Sequence, residues 1–183
     1  MMESAFTTPT ADCPHPEWWH ATDDQSAEVE VAQLVGAFVR ALQPDYVVET
    51  GTCVGWTAQG IGVALDINGH GHLDTLEIDE DRAAEAEIKC KALPVTVVRQ
   101  SSLEFTPRQP IGFAWFDSLL ELRAPEFRRF YPHLVKGGIV GFHDTGPQFG
   151  PLLRGDINQL ASEGLLRPIV LRTPRGVVFA QVL

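Results

Sequence analysis

Apolar residues follow two alternating spacings along this chain. In some segments they recur every three or four residues, as on one face of an α-helix, and in others they form short runs that suit buried strands. Helical spacing occupies the segments 26–43, 56–66, 80–92, 125–134 and 152–163. Strand-like runs lie between and after them, at 46–48, 73–78, 95–98, 111–116, 139–142, 169–171 and 177–180. This alternation predicts an α/β fold with three layers, in which a doubly wound, mostly parallel sheet of seven strands has helices on both faces.

Both ends of the chain depart from the alternation. The last two strand-like runs are separated by the turn-forming residues 173–176, which predicts a C-terminal antiparallel hairpin on a Rossmann-like sheet. Residues 1–25 contain several prolines and few aliphatic residues, so we expect an irregular N-terminal arm. Trp18 and Trp19 of this arm should fold back on the body, because exposing their apolar area is costly. Residues 26–183 are expected to form one domain.

Composition and charge narrow the classes of partner. The chain has 183 residues and a net charge of −10, and its basic residues are scattered, with Arg123, Arg128 and Arg129 interpreted as a solvated helix face. Nucleic-acid binding depends on clustered lysine and arginine, so we expect a small-molecule partner and no nucleic acid. No apolar run approaches the roughly 20 residues that span a bilayer, and the N-terminus does not resemble a secretory signal. We therefore expect a cytoplasmic protein that does not bind membranes.

A glycine-containing turn follows the first strand. Glu49 precedes it, and Gly51 and Gly55 allow the chain to turn sharply and a ligand to approach the backbone closely. The helix that begins near Trp56 directs its free N–H groups toward the same place. In an open parallel sheet, ligands bind beyond the carboxyl ends of the strands, where this turn lies. By itself the turn predicts only a nucleotide-like ligand.

Glu77 makes this prediction more specific. It lies at the end of the second strand, where a carboxylate can accept hydrogen bonds from both hydroxyls of a ribose. A short-chain NAD(P)-dependent dehydrogenase is the first alternative. The dinucleotide fingerprint GxGxxG is absent because Cys53 occupies its middle position, and neither Tyr46 nor Tyr131 is followed by lysine four residues later. The dehydrogenase is therefore the minor alternative.

Five segments carry a family resemblance when they are taken in order: 47–57, 76–79, 95–102, 116–117 and 137–145. Together they resemble the class I S-adenosylmethionine-dependent methyltransferases. The similarity is closer to the small O-methyltransferases around catechol O-methyltransferase and the bacterial sugar and macrolide methyltransferases. It implies S-adenosylmethionine as the cofactor and a hydroxyl of a small molecule, such as a sugar, phenol or natural product, as the methyl acceptor.

The resemblance also implies roles for individual residues in binding the cofactor. The residues implied to lie near the methionine part of the cofactor are Gly51, Thr52 and Gly55. Glu49 is implied to contact its ammonium group and Thr57 its carboxylate. Those near the nucleoside and the reacting methyl group are Glu77 at the ribose, Ile78 and Ser102 beside the adenine, and Asp117 beside the sulfonium.

The same resemblance leaves open whether a divalent cation takes part in the reaction. In the catechol-type enzymes two aspartates and an asparagine, at the ends of strands four and five, hold such a cation. Here Asp117 and Asp144 fill the aspartate positions and Thr145 stands where asparagine would be. A hydroxyl ligates Mg²⁺ or another hard cation less reliably than an amide carbonyl does. The lysine that assists deprotonation in that family is also absent, and Leu120 occupies its place.

Removal of the acceptor proton has three candidate residues, Asp117, His143 and Asp144. A cation between the two aspartates would lower the pKa of the acceptor hydroxyl. Without a cation, His143 or Asp144 would act as the general base. Because the two aspartates end neighbouring strands, we expect them to share a role.

Two further expectations concern the whole protein. The absent lysine and the threonine at position 145 leave open a catalytically silent protein that binds S-adenosylmethionine or oligomerises on this fold. The chain has no large insertion that could cover an acceptor, so we expect the N-terminal arm, or the second subunit of a homodimer, to complete the site.

Overall fold

A seven-stranded sheet runs through the computed structural model, which describes residues 5–183. The strands are β1 (Tyr46–Thr50), β2 (His72–Glu77), β3 (Val95–Arg99), β4 (Ile111–Phe116), β5 (Leu134–Phe142), β6 (Leu166–Leu171) and β7 (Val177–Val182). They lie in the order β3-β2-β1-β4-β5-β7-β6. All paired strands are parallel except that β7 is antiparallel to both β5 and β6. The prediction of a mostly parallel sheet that ends in an antiparallel hairpin is confirmed.

Within residues 5–183, five α-helices cover the two faces of the sheet. They are α1 (Val29–Leu42), α2 (Trp56–Asn68), α3 (Glu80–Cys90), α4 (Arg123–Phe130) and α5 (Pro151–Ser162). Successive side chains of a strand point to opposite faces. Val47 of β1 therefore joins an apolar core with α1 and α2, whereas Val48 joins a second core with α4 and α5. These two cores give the predicted three layers.

Strand β5 is longer than its apolar run predicts. It begins at Leu134 rather than near Ile139, and it includes Gly137 and Gly138, close to where its pairing with β4 shifts register. A Cβ at Gly138 would lie 2.8 Å from the carbonyl oxygen of Val135. The glycines therefore belong to an irregular part of the strand and not to a loop before it.

Two predicted helix boundaries also differ from the observed ones. Helix α1 begins at Val29 rather than at Ser26, because the carboxylate of Asp23 accepts hydrogen bonds from the N–H and the hydroxyl of Ser26 and stabilises a turn there. Helix α4 ends at Phe130, and a short 3-10 turn over Tyr131–His133 replaces the predicted last turn.

The N-terminal arm folds back on the body only in part. Trp18 is 64% exposed and stacks on His15, so the prediction that both tryptophans pack on the body is wrong for Trp18. Trp19 is half-buried. The last residues before α1, Ser26 and Glu28 among them, are buried. In residues 5–183, no helix has the length and apolar character that crossing a membrane would require.

Candidate active site

A cavity of about 630 Å³ opens at the carboxyl ends of β1, β2 and β4. Its wall combines the turn after β1, the end of β2, the loops after β3 and β4, and the start of α4. Asp144 and Arg175 from later in the chain also line it, and Asp24 and Gln25 of the N-terminal arm contribute to the wall. Open α/β folds bind ligands at this edge, and the volume falls in the range of small-ligand sites.

The turn after β1 brings the main chain against this cavity. Gly51 has a φ of +80°, and a Cβ there would lie 2.4 Å from the carbonyl oxygen of Asp117. Gly55 has a φ of +85°, and a Cβ there would lie 2.9 Å from the Cβ of Ala86 in α3. Both positions therefore require glycine, although only Gly51 faces the cavity, next to Cys53.

Glu49 lies behind the turn and not in the cavity wall. Its side chain is buried, and the hydroxyl of Thr75 donates a hydrogen bond of 2.5 Å to its Oε2. The same hydroxyl lies 2.6 Å from that of Thr52, which links Glu49 to the turn. Burial, together with the nearby carboxylates of Asp117 and Glu77, raises the pKa of Glu49 to about 8. Glu49 thus supports the turn as a neutral acid, and its contact with a ligand ammonium group stays a prediction.

Three further residues that were predicted to touch a ligand are absent from the cavity wall: Thr52, Gly55 and Thr57. Thr52 is 4% exposed and directs its hydroxyl toward Thr75. Thr57 is 7% exposed in the first turn of α2. The geometry gives Thr52 a part in shaping the turn and does not support a contact of its side chain with a ligand. Contacts of Gly55 and Thr57 with a ligand stay predictions.

Glu77 and Ile78 line the cavity at the end of β2. The Oε2 atom of Glu77 accepts a hydrogen bond of 2.8 Å from the N–H of Cys53, and Oε1 accepts bonds from the N–H groups of Ile78 and Asp79. This carboxylate therefore fixes the turn as well as facing the cavity. Ile78 is 71% exposed, so it presents an apolar surface to any occupant of the cavity.

A fully buried carboxylate, Glu126 of α4, ties together three segments around the cavity. It accepts hydrogen bonds from the hydroxyls of Thr50, Ser102 and Ser118. These residues end β1 and lie in the loops after β3 and β4. Ser102 lines the cavity as predicted, with its hydroxyl engaged by Glu126. Glu126 could not be predicted as a site residue, because an acid on a predicted helix is ordinarily solvated.

Six charged residues form a cluster at the other end of the cavity. This ion cluster consists of Glu28, Asp117, Arg123, His143, Asp144 and Arg175. His143 is fully buried, with Nε2 lying 2.6 Å from Oε2 of Glu28 and Nδ1 lying 3.1 Å from Oδ1 of Asp117. Burial alone would lower the pKa of His143, but the charges of Asp117 and Asp144 and the hydrogen bonds to Asp117 and Glu28 raise it to about 10.

This geometry argues against His143 as the general base. At neutral pH both of its ring nitrogens carry protons and donate to carboxylates, so no lone pair is free to accept a proton. The ring also does not line the cavity. His143 therefore orients Asp117, and the hypothesis that it removes a proton from an acceptor is not supported.

Two arginines complete the ion cluster. Nη2 of Arg123 lies 3.1 Å from Oδ1 of Asp117 and 3.0 Å from Oδ2 of Asp144, so it bridges the two carboxylates. Nε and Nη2 of Arg175 lie 2.6 and 3.0 Å from the two carboxylate oxygens of Asp144. Burial alone would raise the pKa of Asp144, but the positive charges of His143, Arg123 and Arg175 lower it. Asp144 is thus an ionised carboxylate with both oxygens engaged.

The interpretation of three arginines as a solvated helix face is wrong for Arg123. This residue is 3% exposed, and it donates hydrogen bonds from Nε to the carbonyl oxygen of Ser118 and from Nη1 to that of His143. Arg128 and Arg129 are exposed, as predicted. The difference arises because Arg123 begins α4 at the cavity, whereas the other two lie in the last turn of the helix.

The segment that links the N-terminal arm to α1 is fastened to the ion cluster. Oε1 of Glu28 accepts a hydrogen bond of 3.1 Å from the N–H of Arg175, and the guanidinium of Arg175 donates a bond of 3.0 Å to the carbonyl oxygen of Ser26. Gln25 lies next to these residues in the cavity wall. The arm therefore helps to build this end of the cavity. No local pattern of residues predicted that Glu28 and Arg175 belong to the site.

Asp117 and Asp144, two of the predicted cation ligands, lie close together but are otherwise engaged. With His143, which was not predicted as a ligand, they can bring one ligand atom each within 4.8 Å of one another. Nη2 of Arg123, however, already lies between the two carboxylates, and Arg175 holds both oxygens of Asp144. As arranged, these residues do not fit a divalent cation, because cationic side chains occupy the positions from which the carboxylates would bind it.

Thr145, the predicted third ligand, lies beside the cluster without lining the cavity. Its side chain is fully buried, and in the part of the chain that the structure describes its hydroxyl has no hydrogen-bond partner. An unpartnered hydroxyl would suit a ligand, yet a cation at this place would still have to displace Arg123 from the carboxylates. The prediction of Thr145 as a metal ligand therefore has this one feature in its favour.

A comparison with protein families decides the class of the protein. The model of a family described as a methyltransferase domain matches residues 48–145, just over half of the chain. This chain belongs to that methyltransferase family. The match contains the turn after β1, Glu77 and the Asp117–Asp144 pair, so it confirms the predicted class I methyltransferase and disfavours the dehydrogenase. A search of curated proteins found no match.

Solved structures share the fold at low sequence identity. The methyltransferase PaMTH1 of Podospora anserina is 14% identical with a TM-score of 0.76, and the alignment covers 87% of this chain and 81% of that one. The O-methyltransferase TomG of Streptomyces achromogenes is 18% identical with a TM-score of 0.73, covering 87% and 82%. An O-methyltransferase of Bacillus cereus is 16% identical with a TM-score of 0.72, covering 88% and 84%. These similarities show a common fold.

Proposed function

We propose that this protein transfers a methyl group from S-adenosylmethionine to a hydroxyl of a small molecule. The observation that carries the proposal is the single cavity that joins the turn at Gly51 and the carboxylate of Glu77 to the carboxylate of Asp117. Membership of a methyltransferase family supports the reaction class. TomG was solved with S-adenosylmethionine and the Bacillus cereus O-methyltransferase with S-adenosylhomocysteine, which supports the cofactor.

The cofactor would lie along the turn after β1 and the end of β2, which we call the cofactor end. The main chain at Gly51 allows the methionine part to approach closely. Glu77 accepts hydrogen bonds from the ribose hydroxyls, and Ile78 covers one face of the adenine with Ser102 at its edge. When bound, S-adenosylmethionine supplies an electrophilic methyl sulfonium. The residues of this end fit such a ligand, because they offer the carboxylate of Glu77, the apolar surface of Ile78 and an open glycine turn.

Asp117 is the residue that we assign to the acceptor proton. Its side-chain hydrogen bonds in the described part of the chain involve Oδ1, and the residue lines the cavity. The carboxylate accepts a hydrogen bond from the acceptor hydroxyl and so aligns the oxygen for attack. As the new C–O bond forms and the C–S bond breaks, the proton passes to Asp117. The products are the methyl ether, S-adenosylhomocysteine and a protonated Asp117, which releases its proton to water.

The acceptor is proposed to be a small molecule such as a sugar, phenol or natural product. The net charge of −10 disfavours a nucleic acid. Asp24 and Gln25 are the arm residues that line the cavity, so we expect them to contact the acceptor. A homodimer, in which the second subunit covers the open side of the cavity, remains a proposal whose direct test is the molar mass of the protein in solution.

Calorimetry with S-adenosylmethionine and with S-adenosylhomocysteine tests the proposed cofactor. We expect one site per chain for each compound. The variant Ile78→Ala should weaken binding by roughly tenfold, because it removes about 1–2 kcal/mol of apolar contact with the adenine. Glu77→Gln should weaken binding as well, through the loss of charge at the ribose.

Ile88→Ala is the matched control for Ile78→Ala. Ile88 is 77% exposed on α3 and lies outside the cavity wall, so its removal should leave the affinity unchanged. Folded wild-type protein that gives no heat with either compound would refute the proposed function. Equal affinities for the Ile78 and Ile88 variants would refute the placement of the adenine.

A further inference from the structure

Arg123 occupies the place between Asp117 and Asp144 that a shared cation would need. Its Nη2 lies 3.1 Å from one carboxylate and 3.0 Å from the other. A divalent cation bound by both would require oxygen distances of about 2.0–2.6 Å in the same space, so it cannot coexist with this guanidinium. The remaining donors of Arg123 hold it there, with Nε lying 2.8 Å from the carbonyl oxygen of Ser118 and Nη1 bound to that of His143.

Arg175 strengthens this arrangement. It binds both carboxylate oxygens of Asp144, and it is fixed in turn by the carboxylate of Glu28 and the carbonyl oxygen of Ser26. Every side-chain oxygen of Asp144 therefore accepts from an arginine. Two guanidinium groups already face the three carboxylates of the ion cluster, so a divalent cation would leave excess positive charge in a buried place.

We propose that Arg123 takes the structural place of a divalent cation, so that this methyltransferase works without a metal. The proposal rests on the proposed function, and it gives Arg123 the part of a positioning residue. Arg123 fixes Oδ1 of Asp117 and thereby leaves the rest of this carboxylate to the acceptor hydroxyl. Asp117 can accept from a single acceptor hydroxyl and needs no second oxygen beside it. The acceptor class therefore includes molecules with an isolated hydroxyl.

Binding of Mn²⁺ to the full-length protein tests this proposal without knowledge of the acceptor. The protein is freed of metals with a chelator, and Mn²⁺ binding is then followed by calorimetry and electron paramagnetic resonance. We expect the wild type to bind Mn²⁺ more weakly than about 1 mM. Arg123→Ala frees Oδ1 of Asp117 from the guanidinium and leaves Arg175 as the only arginine paired with Asp144. This variant should gain Mn²⁺ affinity by at least roughly tenfold, since two carboxylates suit this hard cation. Arg123→Lys keeps a positive charge and should not gain it.

Arg128→Ala is the matched control, because Arg128 lies on the same helix and forms an exposed pair with Glu163. This variant should behave as the wild type does. The gain of a metal site in Arg123→Ala, but not in Arg123→Lys or Arg128→Ala, is a result that a merely structural role of Arg123 would not produce. A thermal unfolding transition for each variant shows that it is folded.

Two results would overturn the proposal. The first is micromolar binding of Mn²⁺ to the wild type that is lost in Asp144→Asn, which would mean that the ion displaces Arg123. The second is a folded Arg123→Ala that binds Mn²⁺ no better than the wild type. The measurement of Mn²⁺ binding to the wild type can overturn the proposal by itself, so the test does not depend on every variant folding. Binding of S-adenosylhomocysteine to the same samples is a separate readout, so its failure would count against the proposed function and not against the role of Arg123.

Discussion

The cofactor end of the cavity and the ion cluster differ in how their polar groups are brought together. At the cofactor end, backbone amides of residues 53, 78 and 79 satisfy Glu77, and hydroxyls of residues 52 and 75 lead to Glu49. In the ion cluster, charged side chains satisfy one another. Their contacts join Glu28 to His143, 115 residues away, and to Arg175, 147 residues away.

This difference indicates that a substitution can damage the two ends of the cavity in two different ways. The cofactor end depends on backbone geometry, so a single added methyl group can close it. The ion cluster depends on charge balance, and removing one member leaves another buried charge without its partner, which is costly. We expect damage to one end to be separable from damage to the other.

The largest effect is expected for Gly51→Ala. The new Cβ would meet the backbone of Asp117 at 2.4 Å with a φ of +80°, so the turn and the end of β4 must move apart. Urea denaturation should show a loss of more than about 4 kcal/mol in the free energy of unfolding, or an unfolded protein. Gly69→Ala is the control, since Gly69 has a similar φ of +75° and nothing within 4 Å of its Cβ position. It should lose about 1–3 kcal/mol. Equal losses would show that the contact with Asp117 is not decisive.

Glu28→Ala should have the next largest effect, and it should act on the ion cluster alone. It leaves His143 and Arg175 without their shared carboxylate, so the free energy of unfolding should fall by about 3–5 kcal/mol. Glu30→Ala removes a nearby acid from a partly exposed pair with His20 and should cost less than about 1 kcal/mol. Under conditions where both variants are folded, calorimetry should find an unchanged affinity for S-adenosylhomocysteine. A large drop in that affinity would show that the two ends are coupled.

A smaller effect is expected from Glu49, which should make the free energy of unfolding depend on pH. Its carboxyl group keeps its proton in the folded state up to a pKa of about 8, whereas the unfolded chain releases it near 4.5. The stability from this group is complete below pH 4.5 and is lost as the pH rises through 8, with a slope of up to about 1.4 kcal/mol per pH unit. Urea denaturation across this range should show the slope in the wild type.

Glu49→Gln should remove most of that slope, because the amide cannot ionise and its carbonyl can still accept the bond from Thr75. His143 acts in the same direction above pH 6.5, since its pKa is raised to about 10. The difference between wild type and Glu49→Gln isolates Glu49. Parallel pH profiles for the two proteins would contradict a protonated Glu49.

The two ends also differ in how far the sequence predicts them. Gly51, Glu77 and Ile78 are close in sequence to the strands that carry them, so strand order and turn chemistry place them in the cavity. The side-chain direction of Thr52 could not be predicted in this way, because it depends on packing against Thr75 of β2. Asp117 and Asp144 were expected to meet, and they do so with Arg123 between them.

Sequence alone determined the α/β alternation, the closing hairpin, the glycine turn and the acid after β2. Each follows from the spacing of residues along the chain or from the conformational freedom of glycine. Both act over only a few neighbouring positions. Only the tertiary structure decided the charge state and partners of His143, the burial of Arg123 and the part played by Glu28 and Arg175. Those properties arise from burial and from contacts between distant segments, and a charged residue on a helix or in a turn carries no local sign of which carboxylate it will meet.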